Sequence, residues 1–138
     1  MTLTEIATTD VVTASTDTDA RELLEMMDEK MVGSVVITDG DDIEGIVTDR
    51  SIALELREAD SLDDITAGDV MTDSPVTIED DHGHFEALEM MSDEGIRRMP
   101  IVEDGELAGI VTLDDLVMLT AAELSNASDV IEQQAGPR

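Results

Sequence analysis

The stretch Gly109–Leu116 reads Gly-Ile-Val-Thr-Leu-Asp-Asp-Leu, a β-branched strand that breaks into a helix at Thr112. The same phrase stands 64 residues earlier, at Gly45–Ile52, as Gly-Ile-Val-Thr-Asp-Arg-Ser-Ile. Carrying that offset outward lays Ile6–Leu56 on Val70–Thr120 without a gap, and 14 of the 51 aligned pairs are identical. The matches include Val12/Val76, Thr13/Thr77, Leu24/Leu88, Met26/Met90, Met27/Met91 and Ile37/Ile101. A fixed-offset repeat decides the architecture before any single motif does. Two copies indicate a tandem pair rather than a solenoid. Each copy is too short to bury enough surface alone, so the halves are expected to pack face to face as one unit.

The 138 residues carry a net charge of −28, from 35 acidic side chains against seven basic ones. Such a surface repels phosphate backbones, which argues against nucleic-acid binding. Phe85 is the one aromatic residue besides the histidines, which removes base-stacking platforms as well. The acids are spread between periodic apolar segments rather than gathered in a block, so they describe a folded protein with an acidic surface and not a disordered tail. Self-repulsion of this size needs salt to screen it, and we expect the salt-accumulating cytoplasm of a halophile, such as a halophilic archaeon. There are no cysteines, hence no disulfide or thiol chemistry. No apolar run approaches the roughly 18 residues of a membrane span, and the N-terminus has no signal-like core, so we expect a soluble, cytoplasmic protein without membrane partners.

In chain order, Met1–Thr9 offers one amphipathic turn, and Val11-Val12-Thr13 a short strand. Ser15–Asp19 supplies N-cap candidates for a helix whose apolar stripe is Ala20, Leu23, Leu24, Met27 and Met31. Val35-Val36-Ile37 and Ile43–Thr48 flank Asp39-Gly40-Asp41-Asp42 as a hairpin, followed by a helix over about 49–58 with Ile52, Ala53 and Leu56 inward. Residues 60–67 connect the copies, with Leu62 and Ile65 tucked against the pair. The order then repeats: Met71–Thr77 leads into a strand, a helix spans about 82–93, and a hairpin turns at Asp104-Gly105. The last helix is striped by Leu113, Leu116, Val117, Ala121 and Leu124; periodicity weakens from Ser125, and Gln133–Arg138 reads as frayed.

A doubled strand–helix–strand–strand–helix unit carrying Gly-Ile-Val-Thr resembles a tandem pair of cystathionine-β-synthase (CBS) domains, the Bateman module. Its phrases stand here as Asp69-Val70-Met71-Thr72, Gly95–Val102 and Gly109–Leu116. The resemblance implies an α/β (α+β) fold of two pseudo-symmetric units at 4–59 and 68–124, with a C-terminal tail at 125–138. It also implies a flat homodimer through the helices, and an inter-unit cleft that binds AMP, ADP, ATP or S-adenosylmethionine. No separate cofactor is required, and what is regulated is unidentified.

The family's ligand motif is Gly-apolar-x-Thr/Ser-x-x-Asp, its hydroxyl facing phosphate and its Asp holding the ribose. Gly109, Thr112 and Asp115 match it in full. A strand ending at a helix N-terminus presents free N–H groups to an anion, which suits that role. The same Thr-x-x-Asp is also close to a capping box, useful without any ligand. In the first copy Thr48 is kept but the Asp is replaced by Ser51, which cannot grip two hydroxyls as a carboxylate does. Resemblance further places Arg97 and Arg98 on phosphate in the first site, whose walls would be Asp10, Val12, Val32 and Gly33. Ser74, Val76, Ile96 and Arg97 would wall the second. Arg50 stands beside the first motif and can reach phosphate. His82-x-His84 has no third ligand nearby and reads as surface. Asp39–Glu44 lacks EF-hand spacing, and no P-loop, dinucleotide fingerprint or nucleophile–base pair is present. An enzyme is not expected.

Overall fold

The computed structural model describes residues 2–135. The first unit runs β1 (Thr13–Ala14), α1 (Ala20–Lys30), β2 (Ser34–Asp39), β3 (Asp42–Thr48) and α2 (Asp49–Glu55). A 3-10 turn at Leu62–Asp64, the short helix α3 (Ala67–Val70) and β4 (Thr72–Asp73) lead into the second unit. That unit is β5 (Ile78–Glu79), α4 (His84–Glu94), β6 (Arg98–Glu103), β7 (Glu106–Thr112) and α5 (Leu113–Gln134). The doubled strand–helix–strand–strand–helix order is present, in an α+β fold with two sheets ordered β1-β2-β3-β4 and β5-β6-β7.

Strand alternation decides what each residue meets. In the first unit Val35, Ile37 and Val47 point into a core with Leu23, Met27 and Ile52, while Val36 and Ile46 point the other way. In the second, Met99, Ile101 and Val111 meet Ala87, Met91 and Leu116. Val36, Ile46 and Ile110 then form a third cluster that joins the two units across their open sheet faces. The halves do pack face to face. Local signals hold as well: Asp19 caps α1, its carboxylate accepting from the Glu22 N–H at 2.9 Å. The second hairpin turns through Asp104 and Gly105 at φ 53° and 81°, the positive pair a type I′ turn needs.

The units exchange their leading segments. Leu3, in a 3-10 turn at Leu3–Glu5, is fully buried, but in the core of the second unit, where Ile6 and Ala7 also pack. Its counterpart 64 residues later, Ala67, is buried in the first unit's core beside Ile65. Thr8 bridges Ile110, and β4 pairs antiparallel with β3 through Gly45↔Asp73 and Ile46↔Thr72. This explains the glycine of the repeated phrase. A Cβ on Gly45 would lie 2.9 Å from the Thr72 carbonyl oxygen and 2.6 Å from Met71 Sδ; one on Gly109 would lie 3.0 Å from the Thr8 carbonyl oxygen. Each glycine lets the other unit's leading segment cross over it.

Several expectations are corrected. Met71–Thr77 does not run into one strand: residues 72–73 pair with the first unit, and the second unit's own strand begins at Ile78, with Pro75 in neither. Met31 leaves the α1 stripe. It is the left-handed C-cap at φ 55° and 92% exposed, whereas the equivalent position is Gly95 at φ 66°. In α2 only Ile52 is buried, with Ala53 and Leu56 exposed, and in α5 only Leu116 is. The last helix runs on through the segment expected as a tail from Ser125 and, at Gln133 and Gln134, into the stretch expected to be frayed, exposed throughout its final turns. Residues 136–138 of the expected tail lie outside the described residues.

Candidate ligand cleft between the units

β3 and β7 each run straight into a helix, and the turning residue of each is the motif threonine. Thr112 Oγ1 accepts from the Asp115 N–H at 3.2 Å, and Asp115 Oδ2 accepts from the Thr112 N–H at 3.0 Å. Thr48 and Ser51 do the same at 3.1 Å in both directions, and Ser51 Oγ also donates to the Thr48 carbonyl at 2.8 Å. Both motifs are therefore capping boxes. They differ in what remains. Asp115 keeps its second carboxylate oxygen without a partner among the described residues, while Ser51 has spent its hydroxyl on the cap.

Two cavities open between the units. One, of about 440 Å³, holds Thr48 and Arg50 of the first motif against Ser74, Val76, Ile96 and Arg97 of the second unit. The other, of about 430 Å³, holds Thr112 and Asp115 of the second motif against Val32 and Gly33 of the first unit. The walls are thus exchanged relative to the sequence reading, which gave each motif its own unit's wall. The reason is the face-to-face packing, which sets each helix N-terminus opposite the other unit's loops. Arg97 and Arg98 border both cavities.

Three expected residues line neither space. Asp10 is exposed and paired with Lys30 at 3.4 Å, Val12 packs on the first core, and Ser51 is tied to Thr48. Others were missed. Ile46, Asp49, Pro75 and Glu94 line the first cavity, and Thr8, Ile110 and Asp114 the second. Strand alternation could have found Ile46 and Ile110, which sit one residue before inward-facing valines. Ser74 was anticipated as wall but not its backbone, which is left-handed at φ 45°.

The scarce basic residues of the chain gather at the first cavity. Six of the seven basic residues are described, Arg138 being the other, and three of the six, Arg50, Arg97 and Arg98, border the first cavity. Among the described residues, the guanidinium groups of Arg50 and Arg98 make no hydrogen bond or ion pair. Arg97 reaches only Asp114, at 4.0 Å and exposed, a contact worth little in water. Arg98 turns toward the first unit, its Nη1 3.4 Å from where a Gly33 Cβ would stand, so this glycine leaves room for the guanidinium.

The histidines lie elsewhere. His82 Nδ1 sits 2.5 Å from Glu86 Oε2, and this hydrogen bond raises the His82 pKa while lowering that of Glu86. His84 Nε2 meets Glu123 Oε1 of α5 at 3.1 Å. No group of three or more His, Cys, Asp or Glu is placed to hold a metal among the described residues. Nor is any described helix long and apolar enough to cross a membrane.

The CBS domain family matches this chain twice, at residues 3–58 and 67–121. An uncharacterized protein of Methanopyrus kandleri is 39% identical over 118 residues, which are 83% of this chain and 60% of that relative's length. A solved protein with CBS domains from Burkholderia ambifaria MC40-6 has a TM-score of 0.80 at 27% identity, covering 88% of this chain and 95% of that one. The CBS domain pair of protein MJ0100, solved with 5′-methylthioadenosine and S-adenosyl-L-methionine, is alike in fold, with a TM-score of 0.80 at 23% identity over 89% of this chain and 98% of that one. Two family matches that together span most of the sequence, on two units related by an exact 64-residue repeat, establish that the chain belongs to the CBS domain family as a tandem pair.

Proposed function

We propose that this CBS pair is a regulatory module that binds an adenosine-containing ligand, AMP, ADP, ATP or S-adenosylmethionine, in the cleft between its units. CBS pairs are generally regulatory, ligand-binding modules and not catalysts. The observation that carries the reading is the concentration of Arg50, Arg97 and Arg98 at one cleft of a chain with net charge −28, two of them without an ionic partner. Isolated positive charge in an acidic surface focuses an anion there. Apolar Ile46, Val76 and Ile96 offer a surface for a base, and the free oxygen of Asp115 suits ribose hydroxyls. The adenosine compounds held by the MJ0100 pair agree with this choice.

A ligand held between the units alters their relative angle. It does work only through its different affinity for the two arrangements. The signal would pass to an unidentified regulated protein or through a homodimer. The unburied helical residues Val117, Met118, Leu124 and Phe85 support self-association through the helices. A monomer by gel filtration in molar KCl counts against the dimer. The completed capping boxes favour a second reading, a ligand-free structural or interaction module whose motifs serve only as helix caps. Calorimetry with all four ligands in molar KCl separates the two. If none binds, the second reading stands.

A further inference from the structure

The two cavities share their cations but not their anions. Arg97 and Arg98 border both; Arg50 and the carboxylates of Asp49 and Glu94 belong to the first, and Asp114 and Asp115 to the second. Three guanidiniums therefore serve four carboxylates over the whole cleft. However Arg97 and Arg98 are divided, the set cannot neutralise two phosphate groups, each carrying up to about two negative charges. The first cavity alone keeps a private cation, Arg50. The second, once the shared arginines turn to a phosphate next door, is left with two carboxylates and no cation.

We infer, resting on the ligand-binding reading above, that the cavities take different chemical classes. The cavity at Thr48 and Arg50 binds the phosphorylated adenosine compound, anchored by its phosphate. The cavity at Thr112 and Asp115 binds an adenosine derivative without phosphate, anchored by its ribose on Asp115. The broken motif then has a rationale. The site that lost its ribose carboxylate at Ser51 is the one that has a cation of its own, and the site that kept the carboxylate has none.

Calorimetry of the full chain in molar KCl, with AMP and adenosine as probes, tests the assignment. The expected result is one AMP per chain, with adenosine still binding to the AMP-saturated protein. Arg50→Gln should weaken AMP about tenfold or more, the scale of one lost charge-assisted bond, and leave adenosine unchanged. The Arg50 side chain makes no hydrogen bond or ion pair among the described residues. Asp115→Asn, which still caps, should weaken adenosine and leave AMP unchanged. Two AMP bound with like affinity overturns the assignment, as does AMP that responds to Asp115→Asn but not to Arg50→Gln. Failure of both probes to bind overturns the assignment, and the ligand-binding reading beneath it falls as well only if ADP, ATP and S-adenosylmethionine also fail to bind.

Discussion

Thr112 and Asp115 bind each other's backbone reciprocally, at 3.2 and 3.0 Å, so the residue expected to hold a ribose is already half of a helix cap. The first unit shows that serine performs the same capping at Thr48. Replacing Asp115 by serine should therefore leave thermal stability nearly unchanged while abolishing ligand binding in the second cavity. Asp115→Ala, which removes both functions, should cost about 1 kcal/mol of stability as well. Paired melting curves and calorimetry on the two variants give the answer, and equal destabilisation by both would show that serine does not cap here.

Stability should rise steeply with KCl. At about 0.1 M salt, charges interact over about 10 Å, and at about 1 M over only about 3 Å, so the repulsion among 35 acids fades across that range. Urea unfolding midpoints at low and molar KCl measure it. Full stability without salt removes the expectation of a halophilic origin.

His82 should titrate above the ordinary imidazole range by NMR, because its hydrogen bond to Glu86 favours the protonated ring. Glu86 is shifted the opposite way. The pair therefore supports the folded state fully between the unfolded values of about 4.3 and 6.5. Its contribution disappears as pH rises through the His82 pKa, and again as pH falls through that of Glu86. Both groups are largely exposed, so the effect is small and salt-sensitive. His82→Gln should flatten that part of the pH–stability profile.

Leu3→Ala should destabilise the protein by about 2–5 kcal/mol, as for a large core residue, although it lies ahead of the first strand. Hydrogen exchange locates the damage. The Ile110 N–H, which donates to the Thr8 carbonyl at 2.9 Å, should lose protection before the β2–β3 hairpin does. Loss of protection in the first unit alone would contradict the exchange of leading segments.

Met31→Gly should stabilise by about 1 kcal/mol, since methionine occupies a left-handed cap at φ 55° with its side chain in water. Gly95 is the second unit's own answer at that position. A denaturant midpoint that falls rather than rises shows that the Met31 side chain, which borders the second cavity, has a packing role.

The fold was legible because its signals are local and doubled. Val35–Ile37, the Asp104-Gly105 turn and the α1 stripe each announce an element, and the 64-residue offset relates the units. What escaped is non-local. Nothing in Leu3 or Ile6 says which of two similar cores it will enter, and nothing in Val76 or Gly33 says which motif it will face. The length of α5 escaped for another reason. Beyond Leu124 the helix buries nothing, so no apolar period marks it, and only its hydrogen bonds and helix-favouring side chains continue it. Of the cleft, Thr48, Thr112, Asp115 and the arginines were readable from the motif. Asp49, Glu94 and Asp114 were not, because in so acidic a chain three more carboxylates carry no signal.

The crossed leading segments also set a schedule for synthesis. The first core lacks Ile65, Ala67 and the β4 edge until about residue 73 has left the ribosome, so the first unit is incomplete when its own last helix has been made. The second core waits in turn for Leu116, while one of its pieces, Leu3, is translated ahead of the first unit. Neither half can be matured and stored alone. Leu3, which precedes every other residue of the two cores, reaches its place only when the second unit has been made to receive it.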